Sequence, residues 1–211
     1  MKWDRLFLHY GQAKLVYSAS LSITKCLSGE IAHNDVWRYF RRALSMEKMT
    51  YLYKNEDQEM VPTIPGKHET LLIRKLPSPN HEFRLHYDQV SVGDVVLLKN
   101  PLESDKLIVR RLAALGGQQM VSTDEKDEPF FTDYDECWVL SDNNKLTAKE
   151  AKDSRTFGPV SLMDIMGRVL YRFRSIHDHG VVNNSNTNAK EDSAVVRFEL
   201  DLNEMQKISE A

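Results

Sequence analysis

With 211 residues the chain is long enough for one full domain, or for a compact domain with appendages. Hydrophobic residues at 41% and charged residues at 28% are ordinary for a globular protein, and a net charge of −3 excludes a nucleic-acid binder built on bulk charge. The cysteines are Cys26 and Cys137, too few and too far apart for a disulfide framework, so both are expected as reduced thiols.

No stretch approaches the roughly 18 uninterrupted apolar residues of a membrane-spanning helix, so a soluble or peripheral protein is expected. From Arg5 to Gly29 there is no acid, while Lys14, Lys25, serines and hydrophobes alternate. That pattern fits a mitochondrial presequence and an ordinary amphipathic helix alike.

Residues 1–54 read as a helical N-terminal extension. Asn34 or Asp35 is placed to cap a helix whose apolar face collects Val36, Phe40, Leu44 and Tyr51. Its other face carries Arg38, Arg41, Arg42 and Lys48. That face is either a solvated cationic side or a docking surface for a membrane, RNA or an acidic partner.

Residues 55–176 read as the main domain. Short apolar runs at Thr70–Arg74, Val95–Lys99, Leu107–Leu112, Cys137–Leu140 and Ile165–Phe173 alternate with turns marked by Pro62, Pro77, Pro79, Gly93, Pro101, Gly116 and Pro159. Many short strands at such intervals predict an antiparallel sheet or barrel, so the fold class is mainly β. Residues 177–211 read as a linker and tail: a polar stretch from Asn183 to Ser193, an edge strand over Ala194–Leu200, then a weakly helical end. The histidines are scattered, and the pair His177 and His179 reads as a solvated loop. No cofactor and no metal site is expected.

Four segments carry more. They are Glu59-Met60-Val61-Pro62-Thr63; Gly93-Asp94-Val95-Val96; Arg110-Arg111 with an apolar run to Gly116-Gly117; and Cys137 to Asn143 continued by Asp153-Ser154-Arg155-Thr156-Phe157-Gly158-Pro159-Val160. In order and spacing they resemble the conserved boxes of type I signal peptidases and the mitochondrial inner membrane proteases. The resemblance covers about Glu59 to Arg172, and the mitochondrial branch is the closer match. It implies that Met60, Pro62, Thr63, Gly93, Asp94, Arg111, Asp142, Asn143, Asp153, Ser154, Arg155 and Gly158 keep structural duties of the family motifs.

The family cleaves signal-peptide-like sequences with a serine nucleophile and a lysine base. The resemblance places Glu59 at the serine and Arg110 at the lysine. Arginine stays protonated and cannot accept the proton. Ala151 stands where a small hydroxyl residue is usual, Ser141 replaces a glycine, and Gln118 replaces an aspartate. The family's membrane-spanning helix would fall on the cationic segment from Asp35 to Tyr53, whose charges would each cost about 2.5–3.5 kcal/mol at mid-bilayer.

Together these features lead to the expectation of a non-catalytic relative, not an enzyme. It would serve as a structural or binding subunit of a larger mitochondrial assembly, in the matrix or peripheral to the inner membrane. A protease complex, another inner-membrane complex and the mitochondrial ribosome are the candidates. The alternative is an active endopeptidase with a displaced nucleophile, drawn from Thr63, Thr70, Ser91 or Ser154, with Lys67, Lys75, Lys99 or Lys106 as base.

Overall fold

The structure, a computed structural model, describes residues 2–76, 90–121 and 128–211. Pro77 and Pro79 lie outside the described residues. In chain order the elements are α1 (Lys2–Leu27), α2 (Val36–Met46), β1 (Thr50–Asn55), β2 (Glu69–Lys75), β3 (Val95–Asn100), β4 (Glu103–Leu115), β5 (Gln119–Met120), β6 (Phe130–Phe131), β7 (Glu136–Leu140), α3 (Ala148–Ala151), α4 (Ser154–Phe157), β8 (Val160–Ser161), β9 (Ile165–Ser175), β10 (Asp178–Val181), α5 (Ala189–Glu199) and α6 (Leu202–Glu210).

The main sheet is antiparallel and runs β1-β2-β9-β3-β4-β7-β8, with β10 also paired to β9; β5 and β6 form a separate small ribbon. The mainly β fold expected from the sequence is therefore present. Strand β3 shows why its sequence is a continuous apolar run. Val96 and Leu98 enter one core cluster with Ile108, Leu112 and Val139, whereas Val95 and Leu97 enter a second with Met60, Leu71 and Val169. A strand covered on both faces has no polar side to alternate with.

Two expectations are corrected. The N-terminal helical segment does not run to Lys54: α2 ends at Met46, and Tyr51 lies in β1, opposite Ile73 of β2. Asp35 sits at the start of α2 without capping it, because its carboxylate holds Arg38 at 2.8 Å. The second correction concerns the C-terminal segment, where Ala194–Leu200 is not an edge strand but lies largely in helix α5. Asp192, Val195 and Glu199 share one face of that helix, at intervals of three and four, and all are buried. Asp192 meets Arg168 at 2.7 Å and Arg74 at 3.3 Å, both rising from the sheet. Helix α6 follows, with Met205 packed on Leu72 and Phe173.

Helix α1 packs against both α2 and α5. Its buried face includes Ala13, Lys14 and Tyr17, and Lys14 lies 3.9 Å from Glu199. Tyr10 donates to Glu199 at 2.9 Å and Thr50 donates to the same carboxylate at 3.0 Å. The two ends of the chain thus meet over the β1 edge of the sheet. Among the described residues no helix is long and apolar enough to cross a membrane.

Candidate active site

The site forms where the turn after β1, the strand β4 and the segment after β7 converge. Residues 141–143 fix the turn through its backbone. Asn143 N donates to the Glu59 carbonyl at 2.9 Å, the Ser141 hydroxyl donates to the same oxygen at 2.5 Å, and Asn143 Nδ2 donates to the Gln58 carbonyl at 3.2 Å. Ser141, which replaces the family's glycine, therefore has a bonding duty of its own. Met60 and Ile64 are buried beneath the turn and anchor it to the core.

Successive strand residues project to opposite faces, so Arg110 and Arg111 serve different neighbours. The Arg110 side chain is 0% exposed. Its Nε donates to the Lys152 carbonyl at 3.1 Å and its Nη1 to the Val109 carbonyl at 2.6 Å. Nη2 makes no hydrogen bond and stands 3.8 Å from Glu59 Oε1. Burial pushes the Arg110 pKa down, with Glu59, Asp57 and Asp153 pulling it back. Arginine keeps its proton across the physiological range regardless. Asp57 joins the group: burial raises its carboxyl pKa, and Glu59 adds to the rise. The two positions that the resemblance assigns to serine and lysine are thus adjacent and hold an ion pair. Ala151, fully buried, offers no hydroxyl nearby.

Arg111 builds a second cluster. Its Nε and Nη2 grip Asp142 at 2.8 and 2.6 Å, and Nη1 donates to the carbonyls of Gly93 at 2.5 Å and Asn183 at 3.0 Å. Thr63 Oγ1 donates to Asp142 Oδ2 at 2.5 Å and lies 3.2 Å from Arg111 Nη2. A bidentate guanidinium–carboxylate pair of this kind is both strong and directional. Gly93 adopts φ +98, a conformation open to glycine and rarely to other residues. Asp94, fully buried, then accepts from Ser91 N at 2.9 Å, Ser185 N at 3.0 Å and the Ser185 hydroxyl at 2.7 Å. Ser185 and Asn183 lie in the polar stretch read from sequence as a linker, and nothing local marks them as partners of Asp94 and Arg111.

Asp153 stands apart from Asp142, so the polar residues form two clusters. Its carboxylate accepts from Ser141 N at 3.0 Å and Arg155 N at 3.1 Å, and pairs with the Arg155 side chain at 2.7 Å. Burial alone would raise its pKa. The bonds from Arg155 and Ser141 outweigh burial and hold it below the usual carboxylate range. Ser154 Oγ accepts from Val139 N at 2.9 Å, and Gly158, at φ +81, ends α4.

The other candidate nucleophiles and bases separate by environment. Thr70 and Ser154 are buried. Lys99 pairs with Asp164 at 3.9 Å, and Lys106 pairs with Glu103 at 2.5 Å, an interaction that holds its pKa up. Thr63 is half-buried and bonded to a carboxylate. Burial lowers the pKa of Lys14, which the sequence did not single out, but that lysine belongs to the contact between α1 and α5. His179 stacks between Tyr171 and Phe173 and bonds the Tyr171 hydroxyl at 2.6 Å. Among the described residues no three His, Cys, Asp or Glu side chains converge to hold a metal ion.

No protein-family model matches the chain. It is 45% identical, over 205 residues, to a protein of Arabidopsis thaliana named mitochondrial ATP-independent inner membrane protease subunit 2, covering 97% of this chain and 95% of that protein. The similarity thus takes in α1, α2, α5 and α6 as well as the sheet. Over 100 residues it is 27% identical to mitochondrial inner membrane protease subunit 1 of Homo sapiens, covering 45% of this chain and 57% of that one. Over 136 residues it is 26% identical to mitochondrial ATP-independent inner membrane protease subunit 1b of Arabidopsis thaliana, covering 63% of this chain and 73% of that one. Near full-length similarity to a named protease subunit overturns the expectation, drawn from Glu59 and Arg110, that this chain is not an enzyme.

Proposed function

The chain belongs to the mitochondrial inner membrane protease family, placed in the mitochondrion at the inner membrane, and we propose that it works there as an endopeptidase subunit on presequence or signal-like peptides. The observation that supports this most is the 45% identity, end to end, with a protein named as a protease subunit. Of the three assemblies considered from the sequence, the relatives favour the protease complex. They lend no support to the ribosome or to RNA contact through the arginines of α2.

Cleavage in this subunit does not run through positions 59 and 110. The carboxylate of Glu59 is committed to a buried guanidinium, and that guanidinium cannot act as a base. Thr63 is the hydroxyl best placed to act in its stead. It lies four residues along the same turn, is half-buried, and already donates its hydrogen to Asp142. Arg111, whose Nη2 donates to the threonine oxygen at 3.2 Å, favours release of the hydroxyl proton to Asp142 before attack. A carboxylate held by arginine is a weaker base than a neutral lysine, so slow turnover is expected.

The test is cleavage of a presequence peptide by the purified assembly containing this chain. Thr63→Val is expected to abolish the cleavage assigned to this subunit, and Thr63→Ser to retain it. If the assembly cleaves equally well with Thr63→Val, the role of Thr63 is excluded. If no variant of this chain alters any cleavage, the endopeptidase reading itself fails.

A further inference from the structure

We infer that the exposed face of α2 is a docking surface for anionic phospholipid headgroups, seating this subunit against the inner membrane surface. The inference uses the family's place at that membrane and does not depend on which residue performs cleavage.

The exposed residues of α2 are Trp37, Arg38, Arg41, Arg42, Ser45 and Met46. Spacings of three and four put Trp37, Arg38, Arg41, Arg42 and Ser45 on one side of the helix, while Ala43 turns inward and is buried. Trp37 is 67% exposed and Met46 77% exposed. Trp37 stacks on Phe40 at 5.2 Å between ring centroids, so the indole is held outward by a neighbour on the same helix. Arg38 has Asp35 beside it at 2.8 Å, whereas Arg41 and Arg42 meet no carboxylate among the described residues. At the end of the helix Lys48 reaches Glu204 at 3.7 Å.

An exposed indole set among exposed arginines suits one particular neighbour. A large exposed indole favours the headgroup level of a bilayer, where its apolar body and its N–H are both satisfied. Arginines beside it attract anionic lipid and extend their charged ends toward phosphates while their stems lie on the apolar boundary. The whole chain carries a net charge of −3, so bulk charge would repel an anionic surface. Binding must then be oriented, with α2 presented and the acidic remainder turned away. Such attraction decays within a Debye length of about 10 Å at 0.1 M salt, which requires α2 itself to sit at the surface.

The experiment is co-sedimentation of the full chain with vesicles of phosphatidylcholine alone, or of phosphatidylcholine with phosphatidylglycerol. Binding is expected to the second kind only and to weaken as salt rises. Each basic residue near such a surface is worth roughly fivefold in binding, so Arg38→Gln, Arg41→Gln and Arg42→Gln together should weaken it on the order of a hundredfold. Trp37→Ser should weaken it several-fold with the arginines intact. The same number of exposed lysines changed elsewhere, at Lys145, Lys149 and Lys190, should leave binding within about twofold, since those charges lie off the docking face. No binding to the anionic vesicles overturns the inference. So does equal binding by the triple arginine variant, or an equal loss in the lysine variant, which would mean non-specific charge.

Discussion

Arg110 Nη2 faces Glu59 Oε1 at 3.8 Å, with the guanidinium wholly buried and the carboxylate side chain 15% exposed. The pair lies at the two positions where the resemblance implies a serine and a lysine. The arginine is further held by two backbone carbonyls, while its outer nitrogen makes no hydrogen bond and has Glu59 as its main compensating charge, ahead of Asp57 and Asp153.

Glu59→Ala should therefore cost about 3 kcal/mol, at the low end for breaking a buried pair, since the two carbonyl bonds remain. The double variant Glu59→Ala with Arg110→Leu should be less destabilised than Glu59→Ala, because no orphaned charge stays in the core. Denaturant unfolding of both single variants and the double variant measures the coupling. Additive losses, with no coupling, would exclude a working ion pair.

Arg111→Lys should destabilise by about 2 kcal/mol, because an ammonium cannot make the two-point grip on Asp142 and reach the Gly93 carbonyl as well. The expected readout is a lower midpoint of unfolding with an unchanged denaturant slope. A loss within about 0.5 kcal/mol, the scatter of ordinary surface substitutions, would show that the grip does not stabilise the fold.

Asp153 sets an acid limit. Its folded pKa lies below the unfolded value, so it contributes stability that is present above the unfolded pKa, near 4, and lost as pH falls through the folded pKa. Asp153→Asn should lower stability at neutral pH and flatten the part of the stability–pH curve below about pH 4. If the variant keeps the same acid slope as the parent chain, another carboxylate sets that limit.

Removing residues 189–211 should prevent cooperative folding instead of trimming a tail. The cut takes both Glu191 and Asp192 from the largely buried Arg74, leaving it unpaired at several kcal/mol, leaves Arg168 with Asp94 alone at 3.6 Å, and uncovers Leu72 and Phe173 beneath Met205. The test is solubility and a thermal melt of the truncated chain. A sharp melt at the parent temperature would remove the claim that α5 and α6 are part of the core.

The sequence by itself determined the strands whose apolar runs are long and bounded by turns, among them Val95–Lys99 and Ile165–Phe173. A buried strand writes its burial into every residue. It also determined the family, through four boxes in order, and the chemistry that positions 59 and 110 cannot perform. The tertiary structure alone decided what long-range pairs control. The short run after Ser193 satisfies a two-residue period as readily as a helical one. It became helix α5 because Arg74 and Arg168, more than a hundred and about twenty residues away respectively, offer charge to Asp192. Thr50 likewise lies at the start of β1, beyond a helix expected to continue, because its backbone pairs opposite Arg74. Ser185 and Asn183 carry no local signal, and only the return of the chain past β3 sets them against Asp94 and Arg111. Periodicity reports which side of an element is covered; it does not say which distant charge does the covering.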